Sequence, residues 1–415
     1  MKYYLLIAVL LLFSNYIQAQ NSSTLDSILT ANKYTFQIED GMIVGDGFDF
    51  IVNEATNSQF FMVGELHGNV ETPTFTSAIL APLKKLGYNQ LALEIGPYSN
   101  KKIQSILNEG GISSLADFYE NYSLNDEVPI PFFWAMDEAE MLRNAYSEGY
   151  KTWGIDQEFV YAAPFLFDDI YKRILTFKLK SEEAVYTEVY KKALDKVKEL
   201  LWSEDRNRYQ MIFTDNDINA FLLMSNGYDS ETDDVIKALQ KSWRIYEDNA
   251  LRRSFRNNNT RIELFKEYFN VEYKKVLRSE KKPKVLVKMG SMHTVYGYSA
   301  IGIYDIGNYL RELAIFNNSK SFNIALAGRY YIRDTGERID RLEFVPEYEG
   351  LFKHEDEGDE NWTILDLRPV KIALIDGTYK IDDRAFMNLL LRYDAVLLKT
   401  LHRVTRHTVD INEGG

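Results

Sequence analysis

Short apolar runs bounded by polar or glycine positions recur along this chain, at Phe60 to Val63, Gln90 to Glu94, Lys151 to Ile155, Lys284 to Lys288, Phe322 to Leu326, Trp362 to Leu367 and Ala395 to Leu398. Runs of this length predict buried strands. Pro73 to Leu86 lies between the first two, with Pro73 at its start and Gly87 just past its end, the punctuation of a helix. A strand-helix-strand unit predicts a parallel sheet with a right-handed crossover. If its two strands are sheet neighbours, Glu65 and Glu94 emerge at one edge. A polar stretch with a helix around Thr24 to Ala31 precedes all of this.

The middle of the chain keeps another period. Tyr186, Val189, Tyr190, Ala193, Leu194, Val197 and Leu201 follow steps of three and four, and similar spacing returns at Ile218 to Leu223, Val235 to Trp243 and Ile262 to Phe269. The expectation is an α/β fold, a mostly parallel central sheet flanked by helices, with an all-helical insertion at 161–282 between core segments 20–160 and 283–415.

Composition narrows the function. A chain of 415 residues, 46% hydrophobic and 14% aromatic, is ample for one large core or two lobes. A net charge of -13 argues against nucleic acid as partner, since phosphate binding needs a basic surface. The partner expected is a small-molecule substrate. Lys2 precedes an apolar run from Tyr4 to Phe13, too short to span a bilayer, and Ala19 offers a small residue for cleavage. Residues 1–19 therefore read as a secretory signal and the mature protein as exported, periplasmic or secreted, with no integral membrane span. With 0 Cys there is no disulfide, thiol nucleophile, thiolate metal site or lipid-anchor cysteine. The 28 Tyr and 24 Phe serve core, cleft or interface alike and specify no oligomeric state.

Candidate chemistry gathers at strand ends. In Gly64-Glu65-Leu66-His67-Gly68, residues two apart in an extended segment face one side, so Glu65 and His67 point together into a cleft. Glu94 ends an apolar strand before Gly96-Pro97, and a carboxylate so placed requires a partner, catalytic or a salt-bridging Arg. His293 follows another strand in a glycine-bounded turn, with Lys288 and Tyr296 beside it as candidate binding residues. Asp156 either orients a catalytic group or caps the next helix. The basic stretch Arg252 to Arg261, with Arg256 in its middle, either binds a substrate anion or forms a charged helix face. His354 sits in an acidic surface loop, and His402 and His407 in a polar tail, all three read as surface.

No Gly-x-Ser-x-Gly elbow, His-Glu-x-x-His, Walker A or dinucleotide fingerprint occurs. What remains is a mixed His/Glu site, suited to activating water or, with two imidazoles and two carboxylates, to holding a divalent metal.

Taken in order, Gly64-Glu65 with His67-Gly68, Ala92-Leu93-Glu94, Gly154-Ile155-Asp156, His293, Leu365-Asp366-Leu367-Arg368 and Tyr393-Asp394-Ala395-Val396-Leu397 resemble the erythromycin esterase-like family. The resemblance implies an α/β protein with a helical insertion and a hydrolase that opens an ester or lactone. It puts the general base at His67, support at Glu65 and Glu94, and a second imidazole at His293, with no cofactor required. The single residue between Glu65 and His67, and Gly290 three before His293, are similar to a wider superfamily that includes haem-binding ChaN-like lipoproteins and TraB/Tiki-like metalloproteases. That kinship implies two alternatives: a metal-dependent hydrolase with Glu65, His67, Glu94 and His293 as ligands, or a haem-binding protein with His67 or His293 axial.

Overall fold

A computed structural model describes residues 24–408 except 125, 126, 333–335, 357, 359 and 406, so the signal-like segment 1–19 lies outside the described residues. The chain runs α1 (24–31), β1 (Lys33–Glu39), β2 (Met42–Val44), α2 (Asp46–Asn57), β3 (Ser58–Glu65), α3 (Glu71–Lys85), β4 (Tyr88–Leu93), α4 (Pro97–Tyr122), α5 (Met136–Ser147) and β5 (Lys151–Gly154). Helices alone follow: α6 (Ala163–Leu175), α7 (Lys180–Trp202), α8 (Arg208–Thr214), α9 (Asn216–Ser225), α10 (Ser230–Ala250) and α11 (Ser254–Val276), apart from a short 3-10 turn before α6. The sheet then resumes with β6 (Lys284–Gly290), α12 (Ser291–Thr294), α13 (Ile306–Phe316), β7 (Lys320–Ile332), β8 (Arg338–Asp340), α14 (Glu349–Phe352), β9 (Trp362–Asp366), α15 (Arg368–Ile375), α16 (Arg384–Arg392) and β10 (Ala395–His402).

One sheet holds the strands in the order β2-β1-β9-β10-β7-β3-β6-β4-β5, with β8 beside β7. From β10 to β5 the neighbours are parallel, while β9, β1, β2 and β8 add antiparallel margins. This is the expected α/β class, a mostly parallel sheet flanked by helices. β3 lies near the centre and is buried at every position, hence its unbroken apolar run. Its alternate side chains feed opposite faces: Phe61 and Val63 join the larger core, and Phe60 and Met62 a second one with Phe265 and Phe269 of α11. Phe269 meets Phe60 and Trp153 edge-on, and this packing brings the start of α11 to the edge of the sheet.

The structure departs from the sequence reading in three places that bear on function. β3 and β4 are not neighbours; β6 lies between them, so Lys288 and Gly290 stand between Glu65 and Glu94. β1 goes unpredicted, although Tyr34, Phe36 and Ile38 alternate in it as a half-buried strand requires. His402 is not a surface residue of a polar tail: it belongs to β10 and is 2% exposed.

Candidate active site

Parallel strands deliver their C-terminal ends to one edge, where open α/β sheets place their ligand sites. Glu65 closes β3, Lys288 and Gly290 lie at the end of β6, Glu94 directly follows β4, and Asp156 lies two residues past β5. Two linked clusters result.

In the first, Lys288 Nζ donates to Glu65 Oε2 and, at 2.9 Å, to Glu138 Oε1, all three side chains being buried. Glu65 turns its other oxygen to His67 Nδ1 at 3.2 Å. Burial works against the Glu65 charge, yet Lys288 and His67 outweigh it and hold the carboxyl below its usual range. Burial, only partly countered by Lys288 and reinforced by Glu65, pushes Glu138 up to about 7. His67 is half-exposed, and although burial lowers its basicity, the Glu65 carboxylate raises its pKa above the ordinary imidazole value. Its ring lies 4.7 Å from that of Phe132, tilted by 30°. Phe132 has φ +70°, a left-handed conformation costly for a bulky residue, of the kind that concentrates at functional sites.

In the second, Glu94 accepts the Gly290 N–H at 2.7 Å through Oε2, while Oε1 meets Arg261 at 3.1 Å and His293 Nε2 at 3.3 Å. Asp156 grips the same guanidinium at 3.0 and 2.6 Å, and His293 Nδ1 lies 2.9 Å from Asp305. Both ring nitrogens of His293 are thus engaged by carboxylates. Burial opposes its charge, but Glu94 and Asp305 prevail and push its pKa up to about 10. Burial likewise disfavours the Glu94 carboxylate, and the adjacent His293 and Arg261 overturn that and hold it well below the usual range.

Because the His293 pKa rises from 6.5 unfolded to about 10 folded, its stabilisation is complete below pH 6.5 and is lost as pH climbs through 10. Urea midpoints are therefore expected to fall between pH 7 and 10 in the wild type, with a flatter dependence in His293→Asn. Equal slopes would remove His293 from the charge balance of the cluster.

Between the clusters, His67, Glu94, Asp156 and Arg261 open on a cavity of about 410 Å³ shared with Tyr246, Asn249 and Asn257 of the helical segment. A Cβ on Gly290 would stand 3.0 Å from His67 Nε2 and 3.2 Å from Glu94 Oε2, so glycine keeps the free ring nitrogen uncrowded. The structure brings together Glu65, His67, Glu94, His293, Asp156 and Lys288. Two candidates lie elsewhere. Arg256 is exposed and pairs with Asp248 at 2.9 Å; the arginine of that basic stretch that enters the site is Arg261, one turn before Phe265. Tyr296 is buried with its hydroxyl on Asp394 and Ser321, beside a cavity lined by residues that begin β7 and precede β10, toward the other edge of the sheet. Glu138, Asp305 and Phe132 escaped the sequence reading. Asp305 sits where an N-cap is expected, which it also is, through Ile306 N. Glu138 shows only as an acid among the apolar positions Ala139, Met141 and Leu142 of an amphipathic helix.

No family model and no curated protein matches this sequence. Solved structures do. A Bacillus cereus protein superposes with TM-score 0.56 at 14% identity, covering 93% of this chain and 99% of its own. A histidine-to-asparagine variant of the erythromycin esterase EreC in its open conformation gives 0.54 at 12%, covering 89% and 98%. A succinoglycan biosynthesis protein gives 0.55 at 10%, covering 93% and 98%. This chain therefore has the erythromycin esterase-like fold.

Proposed function

We propose that the protein is an exported hydrolase in which His67 activates water against an ester or related carbonyl substrate. The observation that carries this reading is the state of the His67 ring: half-exposed at the cavity, with Nδ1 on the buried Glu65 carboxylate and Nε2 left toward Gly290 and Glu94. With Glu65 ionised, Nδ1 holds the proton and Nε2 is the base. Nε2 takes a proton from water as the water oxygen bonds to the carbonyl carbon and the carbonyl electron pair moves to oxygen. Arg261, which lines the cavity and holds Asp156 and Glu94 through Nε and Nη2, has Nη1 left to donate to that oxyanion. The imidazolium, stabilised by Glu65, returns its proton to the leaving alkoxide as the C–O bond breaks, giving an acid and an alcohol. His293, with both ring nitrogens engaged, holds Glu94 in place and is a positioning residue.

One ligand atom from each of Glu65, His67 and Glu94 lies within 4.8 Å of the others, so a divalent cation would bind there if anywhere among the described residues. The donor set argues against it. Glu65 already shares its charge with Lys288 and His67, and Glu94 with Arg261 and His293, so a dication would have to sit against buried cations that both carboxylates already neutralise. The haem alternative finds a cavity of about 410 Å³ in which Pro131, Phe132, Phe159 and Tyr246 share the wall with Glu94, Asp156, Gln157, Asn249, Asn257 and Arg261, more charge and amide than a porphyrin face takes. Export rests on the apolar run Tyr4 to Phe13 and Ala19. Mass spectrometry of purified mature protein is expected to find an N-terminus near residue 20, divalent metal well below one per chain, and ester hydrolysis indifferent to chelator. Stoichiometric metal that disappears in His67→Ala would replace this mechanism with a metal-dependent one.

A further inference from the structure

His67 stands between two kinds of space. Besides the polar cavity facing the helical segment, it lines a second of about 300 Å³ walled by Leu66, Ile339, Phe344 and His402. Through Leu66 and Arg341 that space adjoins a third of about 270 Å³, bounded by Met292, Leu326, Tyr348 and Phe352. The walls on this side are largely apolar, and the charge within them is unbalanced. Arg341 and Arg392, both half-buried, make no ion pair among the described residues, whereas Lys288 and Arg261 nearby each satisfy two carboxylates. Glu347 shares the third cavity without pairing to either arginine. Burial draws the Arg341 pKa down, with only Tyr348 acting the other way. Buried His402 stays neutral, its pKa brought to about 3 by burial and by the neighbouring Arg341 and Lys399. A partly desolvated guanidinium among apolar side chains is unfavourable until an anion meets it.

We infer that the space beyond His67 is a subsite for an apolar group bearing a carboxylate, phosphate or sulfate, and that Arg341 is the residue that reads this charge. Resting on the reading of His67 as base, this makes the substrate an ester divided at His67: an apolar, anionic half against Arg341, and a polar half between Asp156, Asn249 and Asn257. No covalent step involves Arg341; its part is recognition.

Two measurements separate this inference from the hydrolase reading. Calorimetric titration with 4-phenylbutyrate and with its neutral amide is expected to show the anion bound about tenfold or more tightly, the loss of one charge-assisted pair. That preference should persist in His67→Ala, vanish in Arg341→Met and return in part in Arg341→Lys, each variant checked by thermal melting. In parallel, 4-nitrophenyl hemiglutarate is expected to show a lower KM than the neutral 4-nitrophenyl valerate, with the difference erased by Arg341→Met. Equal binding of acid and amide by the wild type, or a preference untouched by Arg341→Met, overturns the subsite whether or not esters are hydrolysed. A preserved binding preference with neither ester cleaved would leave the subsite standing and overturn the hydrolase.

Discussion

Replacing His67 by alanine is expected to lower kcat on any ester the protein cleaves by roughly 10²- to 10⁴-fold, the contribution of one positioned general base. The fold should survive. His67 is half-exposed, its partners Glu65 and Phe132 have other supports, and no buried group loses its only counter-charge. The wild-type profile carries the same signature. His67 acts when neutral and its pKa is raised above 6.5 by Glu65, so kcat/KM should climb with pH along a limb centred above the ordinary imidazole value. Glu65→Gln should move that limb to lower pH by removing the charge that raises it, and reduce kcat by releasing the Nδ1 proton from its acceptor. A His67→Ala enzyme with unchanged kcat and unchanged melting would transfer the base to another group.

Much of this constellation is legible in the sequence. Glu65, His67, Glu94, Asp156 and His293 each follow an apolar run, and parallel strands have no choice but to bring such ends to one edge. What the sequence conceals is the order of the strands. β6 enters the sheet between β3 and β4 after a long helical excursion, so Lys288 becomes the immediate counter-charge of Glu65, where spacing alone makes Glu65 and Glu94 neighbours. Residues contributed by helices were harder to see. Arg261 and Arg256 lie five apart in one basic stretch, and only the packing of Phe265 and Phe269 against Phe60 and Trp153 decides which is carried to the sheet edge. Glu138 is a further case: an acid on a buried helix face has meaning only once the lysine opposite it is known. The misjudged tail has a similar cause. Leu401 and His402 extend β10 against Tyr330 and Tyr331 of β7, a register invisible from a run that reads as polar.

The largest change in stability is expected from Lys288→Met. Lys288 is the cation shared by Glu65 and Glu138, and all three are buried, so its removal leaves two carboxyls with one weak donor, His67, on the far side of Glu65. Breaking a buried ion pair from one side costs roughly 3–5 kcal/mol, mostly the penalty of the charge left behind. The contribution of Glu65 to the pH dependence should then change sign, joining that of Glu138, which burial already raises. In the wild type Glu65 is held below its usual range, so its stabilisation is present above pH 4.5 and lost as pH falls; in the variant both carboxyls are raised, and stability is lost as pH rises through their folded pKa values. The deficit of Lys288→Met should therefore be smaller at pH 5 than at pH 8 in urea unfolding. Adding Glu138→Leu should restore part of it, since the pair then loses both partners and leaves one fewer buried charge. Glu138→Gln alone should be mild by comparison, because a carboxyl that titrates near 7 is already protonated in part at neutral pH. A Lys288→Met protein within about 1 kcal/mol of wild type at pH 8 would mean that water or another cation reaches these carboxyls. Lys288 would then be an orienting group for Glu65 and His67 and no longer the charge on which this edge of the sheet is built.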